Sequence, residues 1–162
     1  MECSVYIAEP AVLEEAFASF DDEVGMTIVS EELVSCAVEA QGDLMEAFFA
    51  VRPQESCTWA PAFAAVFSSL FWSSTDGDRH RDAPWALANE RVDSYLSPAT
   101  VARLATQAAA IHLDDLNRAF TEFEGDGWIQ DFNDFRAMAS EWLELLATAH
   151  DRHHALAIAV WD

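Results

Sequence analysis

The run Ala155-Leu156-Ala157-Ile158-Ala159-Val160-Trp161 sets the strongest limit on what this chain folds into. Leu156, Ile158 and Val160 fall on one face of it, and Ala155, Ala157, Ala159 and Trp161 on the other. A period of two marks a β-strand. A lone strand leaves its backbone N–H and C=O groups without partners, so the chain must supply a second strand beside it. The opening residues Cys3 to Ala8 are the natural candidate, with Val5 and Ile7 on one face and Tyr6 and Ala8 on the other. The small residues of the terminal strand predict helices packed closely on one side of it.

Between the two ends the helical period dominates. Pro10 opens a helix at its first turn. Its apolar stripe is Val12, Leu13, Ala16, Phe17 and Phe20, with Glu14, Glu15 and Ser19 facing away. Met26 to Val29, after Gly25, reads as a second short strand. Ser30 is then an N-cap, with Glu31 and Glu32 in the first turn. Leu33, Val34, Ala37, Val38, Met45, Phe48 and Phe49 continue at helical spacing as far as Val51, and Gly42 weakens the middle.

Ser56 to Thr75 carries no charge. Trp59, Phe63, Val66, Phe67, Leu70 and Phe71 make it a nearly all-round apolar helix, hence a central one. Its Ser and Thr content, Pro61 and flanks without arginine clusters argue against a membrane span. Ser73 to Asp82 reads as a polar loop, and Ala83 to Glu90 as a short helical turn around Trp85 and Leu87.

The clearest boundary is Leu96-Ser97-Pro98, where Ser97 caps a helix and Pro98 takes its first position. Val101, Leu104, Ala105, Ala108 and Ile111 form its core face. A second helix runs from Leu113 to Phe123, with Asp114 and Asp115 in its first turn and Leu116, Phe120 and Phe123 facing the core. Gly125-Asp126-Gly127 is a turn. Phe135, Met138, Ala139, Trp142, Leu145, Leu146 and Ala149 define the last helix.

These elements predict a mostly helical α+β fold with a small sheet pairing the N- and C-terminal strands. Residues 1–162 read as a single globular domain. With 52% apolar and 12% aromatic residues, the chain can build a core despite a formal net charge of −21.

The second half resembles the DUF1877 (YfbM-like) family. The likeness rests on Tyr95-Leu96-Ser97-Pro98, then Val101, Leu104, Ala108-Ala109-Ala110 and Ile111, then Leu116, Arg118, Phe120, Trp128, Trp142 and Leu145. His154-Ala155-Leu156 then enters the terminal strand. The likeness is detailed over residues 83–161. The strand at Val5 to Ala8 and the aromatic helix at Trp59 to Phe71 match the family in outline only. A glycine-rich opening and a histidine-bearing central segment are missing. Gly125-Asp126-Gly127 replaces the tyrosine-proline that precedes the family's counterpart of Trp128. The resemblance implies an α+β fold and supplies no catalytic residue.

Composition removes several chemistries. All eight basic residues are arginine, which excludes a Walker-A lysine, Schiff-base chemistry, a pyridoxal-phosphate anchor and a Ser–Lys pair. Gly125 and Gly127 lack the third glycine of a dinucleotide fingerprint. Cys3, Cys36 and Cys57 are too widely spaced for a CxxC motif and odd in number. Buried free thiols in a reducing compartment fit them better than a disulfide framework or structural zinc. The start MECSVYIAEP has no basic segment typical of a signal peptide, so the expected location is cytoplasmic.

The acidic charge is uneven. Residues 1–51 hold twelve acids and no base, residues 52–112 six acids and five arginines, and residues 113–162 eleven acids and three arginines. Such a field repels nucleic acids and anionic membranes and attracts basic proteins.

Three constellations invite a functional reading. Asp76, Asp78, His80 and Asp82 alternate in one loop as metal ligands do, although Arg79 and Arg81 oppose a cation and the EF-hand order is absent. His150 and His153 meet on one helical face beside Asp151 and His154, as a zinc pair or as a cationic helix end. Glu122, Glu124, Asp126, Asp131 and Asp134 surround Trp128 and Phe132, a pattern suited to docking a basic protein around an aromatic anchor.

The leading expectation is a non-catalytic acidic protein, without cofactor or metal, that sequesters a basic protein partner as an immunity or inhibitor protein does. Nucleic-acid mimicry is a special case of it. Glu122, Glu124, Asp126, Trp128, Asp131 and Asp134 are the expected partner-binding residues. A metal-dependent hydrolase using Asp76, Asp78 and His80, or a structural homodimeric domain, are the alternatives.

Overall fold

The computed structural model describes residues 2–18, 20–21, 26–27, 37–38, 62, 65–66, 92–123 and 131–161. In chain order the elements are β1 (Glu2–Ala8), α1 (Pro10–Ala18), β2 (Phe20–Asp21), β3 (Met26–Thr27), β4 (Ala37–Val38), β5 (Val92–Leu96), α2 (Pro98–Ala108), α3 (Leu113–Phe123), α4 (Phe132–Asp151) and β6 (Ala155–Trp161). Helix outweighs strand among them, and the sheet joins the two ends of the chain. No helix among the described residues is long and apolar enough to cross a membrane.

The strand that the terminal alternation demands is β1. It runs antiparallel to β6 over its whole length, from Glu2 opposite Trp161 to Ala8 opposite Ala155. The strands lie in the order β4-β1-β6-β5, so β6 is an inner strand with partners on both sides. Its second partner, β5, pairs Tyr95 with Ala157 and Leu96 with Leu156, and its register shifts between Val92 and Ser94.

The register sorts the side chains into two faces, because paired residues point the same way. Val5, Ile7, Leu96 and Leu156 share one face and join Val101, Leu104, Phe135, Ala139, Trp142 and Leu146 in the core. Thus α2 and α4, which pack on each other, cover that face. Tyr6, Ala8, Tyr95, Ala155 and Ala157 share the opposite face. Ala155 and Ala157 have no exposed surface, and α1 lies against β1 and β6 with Leu13 fully buried. Alanine lets a helix backbone come close, as the small-residue face predicts.

The helix ends follow local chemistry. Ser97 caps α2, accepting a hydrogen bond from the Thr100 backbone N–H at 3.3 Å, and Pro98 follows it. At α3 the Asp115 carboxylate accepts from the His112 backbone N–H at 2.8 Å, which satisfies a donor the helix cannot. At the end of α4, the His153 N–H donates to the His150 carbonyl at 3.0 Å and the His154 N–H to the Ala149 carbonyl at 2.9 Å. His153 has φ 55°, so this is a Schellman cap with histidine in the left-handed position that favours glycine. Replacing His153 with Gly is expected to stabilise the protein by roughly 0.5–1 kcal/mol, since the Cβ penalty outweighs the added freedom of the unfolded chain. Chemical denaturation of the variant beside the parent checks this.

Three expectations change. The first helix stops at Ala18, and Phe20 belongs to β2, paired with Thr27 of β3, rather than to the helical stripe. Ala37 and Val38, read as part of a helix, form β4 opposite Tyr6 and Val5 of β1. Both are apolar residues that suit a strand as well as a helix, and pairing with β1 decides between them. β5 is an additional strand that the sequence reading did not include. The short strand expected at Met26 to Val29 is described over Met26–Thr27. Val66, from the expected central helix, is helical and fully buried in the core. Ala62 and Ala65 of that helix are helical as well, and its other residues, the loop Ser73 to Asp82, the turn at Ala83 to Glu90 and the cap at Ser30 lie outside the described residues.

Candidate functional site

The acidic segment expected to bind a partner starts on α3 and ends on α4. Phe120 of α3 lies 5.6 Å, ring centre to ring centre, from both Phe132 and Phe135 of α4. Phe135 is buried, so this aromatic cluster fixes the α4 start against α3 near the latter's C-terminal end. Glu122 lies in the last turn of α3, and Asp131 and Asp134 lie at the start of α4. Glu124, Asp126 and Trp128 lie outside the described residues.

Asp131 and Asp134 are both exposed, and each also serves the helix. Asp131 is the N-cap of α4 and accepts from the Asn133 backbone N–H at 2.7 Å. Asp134 sits in the first turn, where the helix dipole favours a negative charge. A substitution separates the two roles of Asp131. Asn caps as well as Asp, so Asp131→Asn should leave stability within about 0.5 kcal/mol, whereas Asp131→Ala should lose about 1 kcal/mol. Any effect of Asp131→Asn on partner binding then reports the charge alone. Thermal denaturation of the two variants, beside binding by the Asn variant, reads both quantities.

The fold adds an acidic feature that the sequence reading missed. The buried side of α4 is formed by Phe135, Ala139, Trp142, Leu145, Leu146 and Ala149. At 3.6 residues per turn, Asp134, Glu141, Glu144 and Asp151 then fall within about 100° of arc on one exposed flank. The flank runs for about 25 Å along the helix. Arg136 and His150 project from the other flank, whereas Arg152, the C-cap beside Asp151, continues the winding and falls at the edge of the acidic one. The signal was present in the sequence, since the same period that identifies the buried face also sorts the exposed one.

The histidines do not share a helical face. His150 is in the last turn of α4, whereas His153 lies beyond the helix in the left-handed cap position and His154 leads into β6. The helix ends between them because His153 and His154 turn their N–H groups back onto its final carbonyls. His150 stands where a cation complements the helix C-terminus. No group of three His, Cys, Asp or Glu side chains suited to a metal ion occurs among the described residues. The loop of Asp76, Asp78, His80 and Asp82 lies outside them.

Comparison of the chain with protein-family models, with curated proteins and with solved structures finds no match to any of them.

Proposed function

We propose that this is a non-catalytic binding protein that sequesters a basic protein partner through its acidic surface, in the manner of an immunity or inhibitor protein. The observation that carries the reading is the acidic flank of α4, where Asp134, Glu141, Glu144 and Asp151 outnumber the one arginine, Arg152, at its C-terminal end. Asp151 adds to the argument because it occupies the last helical turn, where the dipole disfavours an acid. Local helix chemistry therefore does not account for it. Twelve acids without a base in residues 1–51 supply a long-range field of the same sign.

In this mechanism the field speeds encounter with a cationic surface, and the docked protein then blocks that surface sterically. If the covered surface binds nucleic acid in the partner, the carboxylates stand in for phosphates. Glu122, Glu124, Asp126, Trp128, Asp131 and Asp134 would add to the contact, with Trp128 as its aromatic anchor. The likeness of residues 83–161 to the DUF1877 (YfbM-like) family remains part of the proposal, and it brings no catalytic residue with it.

The test is capture from a lysate of the source organism at low salt, followed by a salt gradient and mass spectrometry. Wild-type protein should retain one basic protein in stoichiometric amount and release it late. The Glu141→Arg, Glu144→Arg double variant should keep its fold, because both positions are exposed. It should associate with the purified partner at least about tenfold more slowly at low salt, with the difference shrinking as salt is added. A diffuse set of basic proteins leaving early would overturn the proposal, as would equal association rates for the two forms. Self-association without a foreign partner would point to the homodimeric alternative.

A further inference from the structure

We draw no further inference here: the strongest candidate, the histidine cluster at the C-terminal cap of α4, where the buried Nδ1 of His154 lacks a hydrogen-bond partner near exposed His150 and His153, carries nothing because the described residues gather no set of three metal-ligating side chains and no second observation there points to a ligand.

Discussion

Replacing Trp142 with alanine is expected to lower the stability of the protein by about 3–5 kcal/mol. Trp142 is the largest fully buried side chain among the described residues, and it lies on α4 within the core that α2 and the sheet share. Its removal loses the transfer free energy of the indole and leaves a cavity that rigid neighbours fill only in part. Domains of this kind hold a margin of about 5–15 kcal/mol, so this one change consumes a large share of it. Urea denaturation followed by far-ultraviolet circular dichroism checks the expectation through the midpoint. Trp142→Phe, which keeps an aromatic ring in the site, should lose much less. Equal midpoints for Trp142→Ala and the parent would mean that α4 does not pack on the sheet as described.

Placing a carboxyl in the middle of the sheet should be about as damaging. Ala157 has no exposed surface and lies on the inner strand β6, opposite Tyr6 on one side and Tyr95 on the other. In Ala157→Asp even a neutral carboxyl without a hydrogen bond costs about 2–7 kcal/mol, and an ionised one costs more. The added volume also enters the face that alanine leaves open to α1. The control is Ala147→Asp on the exposed side of α4, where the same chemical change should cost only about 1 kcal/mol, from lower helix propensity and repulsion by Glu144 and Asp151. Denaturation midpoints of the two variants separate position from chemistry. Matching midpoints would show that the alanine face of the sheet is open to solvent.

The proposed docking surface and the core meet on one helix. The six residues that bury α4 also fix its rotation, and that rotation gathers Asp134, Glu141, Glu144 and Asp151 on one flank. The acids of the string around Trp128 lie close together along the chain. Glu141, Glu144 and Asp151 are spread along the sequence among mostly apolar residues and share a flank only when the chain is wound. Asp131 shows the converse. It belongs to the dense acidic string, yet its carboxylate caps a helix.

Several elements were legible because their causes are local. Ser97 and Pro98 start α2, two aspartates begin α3, and an unbroken 3.6-residue pattern from Phe135 to Ala149 outlines the buried face of α4. Each rests on residues within one or two turns of one another, so the sequence alone determines it. The pairing of the chain ends was also legible, because β1 and β6 are both clearly alternating and the backbone of each requires a partner.

Tertiary structure decided the rest. Val92-Asp93-Ser94-Tyr95-Leu96 has a weak alternation, and it becomes a strand because β6 offers a free hydrogen-bonding edge. Ala37 and Val38 fit a helical stripe and take the strand form through pairing with Val5 and Tyr6. His153 is a far weaker signal for a left-handed cap than glycine, and it adopts one where α4 must turn into β6. Helix signals lie within a few residues of chain, whereas a strand is completed by a partner that can be a hundred residues away, so the sequence by itself determined the helices and the demand for a sheet, and only the folded chain decided which segments met it.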